Sequence, residues 1–134
     1  MRMFAIILIL MAFSIKAKAP NVGWWYIPSP EKIMPYESII RAVTLIESGN
    51  GKYLLNEKEM AVGWFGIRSI RLDDYNLKAK DNITHQECYQ YKVGRKIFLW
   101  YASQIDYRDI KAICINWNGK SIYNKYYTKV KAIL

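Results

Sequence analysis

The stretch Glu37-Ser38-Ile39-Ile40-Arg41-Ala42-Val43-Thr44-Leu45-Ile46-Glu47-Ser48-Gly49 decides how the rest of the chain is read. Ile39, Ala42, Val43 and Ile46 recur at the three-and-four spacing of one buried helix face, and Gly49 supplies a C-terminal stop. A helix is therefore predicted from Glu37 to Ser48, with Glu47 in its last turn. On a helical projection Glu47 falls about 40° from Val43 and about 20° from Ile40, at the edge of the apolar stripe. A carboxyl placed there faces the negative end of the helix dipole and is partly withdrawn from water. Both effects disfavour its ionised form. A Glu that stays protonated near neutral pH can give its proton to a leaving oxygen and later take one back.

Downstream, Asn50 to Ile70 has no helical periodicity but contains Gly51, Gly63 and Gly66 and the apolar run Val62 to Ile67. It reads as a loop with one or two short strands. Arg71 to Asn76 reads as a helical turn that Asp73 and Asp74 would cap. A longer helix is predicted from about His85 to Ile105, with Tyr91, Gly94, Phe98, Tyr101, Ala102 and Ile105 on one stripe. Two shorter ones follow. Asp109 to about Trp117 turns Ile110, Ile113 and Cys114 inward, and Ser121 to Leu134 does the same with Tyr123, Tyr127, Val130 and Leu134, with Asn118-Gly119 as the turn between them. The fold class is thus mainly α (α+β), helical with a small β region after the Glu47 helix.

Upstream, Arg2 gives a charged start, Phe4 to Phe13 is unbroken and apolar, and Ala17-Lys18-Ala19 has the form of a cleavage site. Residues 1–19 read as a secretory signal peptide whose apolar run is about half the length that spans a membrane. No stable membrane anchor is expected after cleavage, and the mature chain is expected outside the cytoplasm, in a bacterial periplasm or beyond. Residues 20–35 hold Pro28, Pro30 and Pro35 around Trp24-Trp25-Tyr26 and read as an extended arm. Residues 36–134 form the folded domain.

Cleavage would remove Arg2, Lys16 and Lys18 and no acid, so the net charge of +9 falls by three to +6. A basic exported protein meets anionic envelope polymers and not chromosomes, and a nucleic-acid partner is not expected. Five Trp and eleven Tyr among 134 residues exceed what one core needs, so some should present flat amphipathic faces suited to sugar rings. Cys88 and Cys114 could pair or remain buried thiols; sequence leaves both open. With His85 they lack the paired spacing of a zinc site, so no metal and no cofactor are expected.

Ala42-Val43-Thr44-Leu45-Ile46-Glu47-Ser48-Gly49, followed by Gly63-Trp64-Phe65-Gly66-Ile67, resembles the signature of the soluble lytic transglycosylase and goose-type lysozyme superfamily. Trp117-Asn118-Gly119 resembles its later aromatic-Asn-small motif, with Trp117 in place of the usual Tyr. The resemblance covers roughly residues 36 to 134 and implies a lysozyme-like domain. It implies that Glu47 is the catalytic acid and base, that Ser48 supports the site, and that Gly63, Trp64, Gly66, Ile67, Trp117 and Asn118 line the bound glycan. Gly66 stands where the family often has a substrate-contacting Gln.

What the resemblance implies is a peptidoglycan lytic transglycosylase that cuts the MurNAc-GlcNAc bond and leaves 1,6-anhydro ends. One carboxyl suffices for that route, because the sugar's own C6 hydroxyl attacks. Hydrolysis would instead need a second carboxylate to activate water, for which Asp73 and Asp74 are the sequence candidates. The alternatives are therefore a hydrolytic lysozyme and an inactive lysozyme-like module that only binds peptidoglycan.

Overall fold

The computed structural model describes residues 30–119 and 125–134, the first five as backbone only. The predicted signal peptide, the Trp24 to Tyr26 cluster and Tyr123 lie outside the described residues. The first helix, α1, spans Pro30–Ser48, so residues 30–35 of the predicted extended arm are helical instead. Pro30 suits a first turn, where its missing N–H would have no partner anyway, and Pro35 lies only a turn further in. At the other end the amide of Gly49 donates to the Leu45 carbonyl at 3.1 Å and that of Asn50 to the Thr44 carbonyl at 3.1 Å. These bonds close the helix directly after Glu47 and Ser48.

The loop beyond α1 carries three strands where one or two were expected, β1 (Leu55–Asn56), β2 (Ala61–Val62) and β3 (Ile67–Arg68). They form an antiparallel sheet in the order β1-β2-β3, in which Leu55 faces Val62 and Val62 faces Ile67. Gly63 follows β2 at φ +79, and a Cβ there would stand 1.9 Å from the Cys88 carbonyl oxygen. Only glycine allows that approach.

Helix α2 runs over Ser69–Ala79, longer than the turn expected from Arg71 to Asn76, and buries Leu72 and Tyr75. Asp73 and Asp74 lie inside it and cap nothing, which corrects the capping assignment; its N-terminal flank is Arg68, without a side-chain cap. The helix predicted from His85 to Ile105 is broken. A 3-10 turn occupies Glu87–Tyr89, Gln90 is extended at ψ 131, and α3 begins at Tyr91 and ends at Ala102. Continuous α-helix is interrupted where Cys88, fully buried, brings its carbonyl against Gly63. Gly94, Phe98, Tyr101 and Ala102 are buried as expected, whereas Tyr91 is 38% exposed and covers Trp64 and Phe65 from outside.

Helix α4 spans Ile110–Asn118, with the Asp109 carboxylate accepting from the Ala112 amide at 2.9 Å as its N-cap. It packs on α3 and on α5, Lys125–Ile133, which in turn packs on α1. Val130 is buried, but Leu134 is 49% exposed because the helix stops before it. The main core gathers α1, the sheet, α2, α3 and α4 around Phe65, Phe98 and Tyr75; a smaller one joins Ala42, Cys114 and Val130 where α1, α4 and α5 meet. Cys88 and Cys114 fall in different clusters and are free, so no disulfide joins them. Burial holds both thiols high, at about 11. Among the described residues no helix is long and apolar enough to cross a membrane.

Candidate active site

The end of α1 delivers Glu47 to the floor of a groove. Its carboxyl borders three adjoining cavities: a narrow one with Glu59, Gly66, Arg68, Arg71, Trp117 and Asn118, one of about 290 Å³ toward α5, and one of about 430 Å³ toward β1. Burial pushes the Glu47 carboxyl up to about 7. The Tyr126 hydroxyl pulls it back, the Glu59 charge pushes it further up, and the Arg68 and Lys129 charges lower it. Desolvation is the largest of these, so Glu47 is an acid that keeps its proton near neutrality because of where α1 ends.

Tyr126 belongs to α5, and its hydroxyl is fully buried without a well-formed hydrogen bond. It nevertheless lies close enough to act on Glu47, and burial drives its own proton affinity far above that of an ordinary phenol. Gly66, at φ +60, presents bare backbone to the acid; a Cβ there would come within 2.3 Å of Glu47 Oε2. Where a side chain would collide, this chain has none.

Ser48 is 1% exposed and lies beneath the groove. Its hydroxyl stands 3.0 Å from both the Thr44 and the Trp64 carbonyl oxygens and accepts from the Gly51 amide at 3.0 Å. It fastens the end of α1 to the Gly63 to Ile67 stretch, which is a supporting place and not a substrate contact. Ile67 is fully buried, and its carbonyl accepts from His85 Nε2 at 2.8 Å. Gly63 packs on Cys88. Trp64 is half-buried edge-on against Tyr91, 5.2 Å between ring centres, and borders none of the three cavities. Of the residues expected to line the glycan, the structure therefore brings Gly66, Trp117 and Asn118 to Glu47 and leaves Gly63, Trp64 and Ile67 behind the wall, with Ser48 beneath it.

Trp117 borders the narrow cavity but is almost wholly enclosed. It is 6% exposed, crosses Phe98 at 78° with ring centres 5.0 Å apart, and lies beneath the Arg71 guanidinium. A ring so enclosed is core and offers no open face to a sugar. Arg71 also donates from Nη2 to the Asn116 and Trp117 carbonyl oxygens at 2.7 and 2.6 Å, tying α2 to the last turn of α4. Asn118, exposed at the end of α4, follows directly on those two carbonyls.

Neither sequence candidate for a second carboxylate borders a cavity with Glu47. Asp73 is exposed on α2. Asp74 borders a neighbouring hollow with Arg68, Ile70 and Arg71, where hydrogen bonds from Lys78 and Tyr101 hold its carboxyl below the usual range. Glu57 shares the cavity toward β1 with Glu47, and the carboxylate that shares the other two is Glu59, in the turn between β1 and β2. Sequence reasoning missed it, along with Tyr126, Arg71 and Tyr53, a ring 72% exposed on the wall of the β1-side cavity. Tyr53 alone left a sequence signal, as an aromatic residue just after a helix-ending glycine. Among the described residues no three His, Cys, Asp or Glu side chains gather as a metal site would need.

Fold and groove together define a mainly helical domain with a small antiparallel sheet and one half-buried acid where the two meet. Compared with known proteins, the chain matches no family model, no curated protein and no solved structure.

Proposed function

We propose that the chain is a peptidoglycan lytic transglycosylase with a lysozyme-like fold, cutting the bond between MurNAc and GlcNAc on exported glycan strands. The observation that carries this reading is Glu47 itself: a half-buried carboxyl whose proton affinity burial raises, open to a groove and backed by bare glycine. In the proposed reaction Glu47 donates its proton to the glycosidic oxygen, the bond to the anomeric carbon breaks, and the C6 hydroxyl attacks that carbon. The hydroxyl proton returns to Glu47, leaving a 1,6-anhydro end and a restored acid. The placing of Asp73 and Asp74 away from Glu47 favours this one-acid route.

The test is mass spectrometry of soluble products after incubation of peptidoglycan sacculi with the purified protein or its Glu47→Gln variant. Anhydro-ended muropeptides from the wild type alone are expected. Wall binding without products from either protein would replace the enzyme by a binding module. A second reading, hydrolysis, is favoured by Glu59 beside Glu47 and would leave reducing ends.

A further inference from the structure

We infer that Glu59 is a second catalytic carboxylate of the Glu47 groove, one that acts through its negative charge on the cationic sugar and on Glu47 and takes no proton itself. The inference rests on the reading of Glu47 as the acid. Glu59 sits in the four-residue turn closed by the Asn56–Ala61 pair, on the sheet whose third strand brings Gly66 and Arg68 to the acid. It borders two of the three cavities that meet at Glu47, whereas Glu57 borders only the outer one with Tyr53. It is exposed and makes no hydrogen bond or ion pair among the described residues, so no structural duty accounts for its place.

The charges facing Glu47 come from three sides: Glu59 from the turn, Arg68 from β3, and Lys129, with the neutral phenol of Tyr126, from α5. Arg71 of α2 and Lys125 of α5 border the same cavities. Every one of these except Glu59 either favours a carboxylate or is neutral. Glu57 and Lys58 of the same turn border only the β1-side cavity, so among the described residues Glu59 is the acid lining both the narrow and the α5-side cavity whose charge favours a protonated Glu47. As the glycosidic bond breaks, positive charge develops on the anomeric carbon and ring oxygen, and a negative charge bordering the narrow cavity stabilises it. The same charge then makes Glu47 a stronger acceptor for the C6 hydroxyl proton. No proton or bond changes hands at Glu59.

The experiment compares full-chain wild type with Glu59→Gln, Glu59→Asp and Glu47→Gln on soluble glycan strands across pH, with products read by mass spectrometry. Glu59→Gln is expected to lower kcat roughly tenfold with little change in KM. It should also move the alkaline fall of activity to lower pH and leave the product ends unchanged, while Glu59→Asp keeps most of the activity. The side-chain carbon resonance of Glu47 should titrate at lower pH in Glu59→Gln, a readout that needs no turnover. A rate and titration matching the wild type would overturn the inference. So would a switch from reducing ends to anhydro ends in Glu59→Gln, which would make Glu59 a base for water. Full activity of Glu47→Gln is a different failure, because it removes the reading of Glu47 and this inference together.

Discussion

Gly66 and Glu47 touch across the groove: the space a Cβ of Gly66 would occupy lies 2.3 Å from Glu47 Oε2, 3.0 Å from its carboxyl carbon and 3.4 Å from its Cβ. Two strains would therefore fall on one substitution. Gly66→Ala places an L-residue at φ +60, at about 1–2 kcal/mol, and forces the carboxyl away from its place. Displacement of about 1 Å at a reacting group lowers rates on the order of a hundredfold. The variant should keep its fold, lose a few degrees in Tm, and fall in muropeptide release far more than the stability change explains. Gly66→Gln, the residue often found in the resembling family, should be no better, because its Cβ meets the same oxygen.

The raised proton affinity of Glu47 is also a statement about stability. In the unfolded chain an ordinary Glu loses its proton near 4.5, whereas in the folded chain Glu47 keeps it up to about 7. The contribution is fully present below about 4.5, declines as pH rises through the interval, and is gone above about 7, where both states are ionised. Its size is on the order of 3 kcal/mol as an upper bound. Glu47→Gln has the same shape and no charge. Its Tm should track the wild type at acid pH and exceed it increasingly up to neutrality. Parallel Tm curves at all pH values would show that Glu47 is not buried as described.

What the sequence made legible were the elements with their own periodicity and punctuation. The end of α1 at Ser48 and the start of α4 at Asp109 were both marked, by Gly49 and by an N-cap aspartate. Glu47 could be singled out for the same reason, since its position on the helix follows from spacing alone. The break of the third helix at Gln90 could not be seen, because it answers to Cys88 meeting Gly63, a contact across the fold. Trp117 looked like a sugar platform beside a polar turn, yet Phe98 and Arg71 enclose it from elements distant in sequence. Glu59 and Tyr126 reach Glu47 only through the sheet and α5, and nothing near either residue announces it.

Tyr53 offers the exposed aromatic face that Trp64 and Trp117 do not. A ring stacked on a sugar contributes about 0.5–1.5 kcal/mol. Tyr53→Ala should raise KM for glycan strands by roughly threefold to tenfold, with kcat and Tm nearly unchanged. An unaltered KM would remove the β1-side cavity from the substrate path.

The separate burial of Cys88 and Cys114 gives a chemical expectation. Both thiols should be unreactive toward a disulfide reagent in the native protein and titrate fully after denaturation, since the thiolate is the reactive form and burial suppresses it. Reductant should not change Tm. A mass two units lower without reductant than with it would show a disulfide that this fold does not place.

Arg71 joins three parts of the site wall at once. Its guanidinium lies 4.6 Å from the Tyr101 ring centre and 5.3 Å from that of Trp117, while Nη2 donates to two carbonyls at the end of α4. Those carbonyls are orphaned by the helix terminus, so losing the donor leaves them without the charged partner that replaces water. Arg71→Ala should destabilise the fold by about 2 kcal/mol and free Asn118 from its place beside Glu47. Arg71→Lys should recover little, because an ammonium is a compact point charge without the planar guanidinium that lies over the Tyr101 and Trp117 rings while bonding two carbonyls. The decisive comparison is activity at a temperature where both variants remain folded. A loss that persists there places Arg71 in the positioning of the groove, whereas full activity at that temperature would reduce it to a prop for α4.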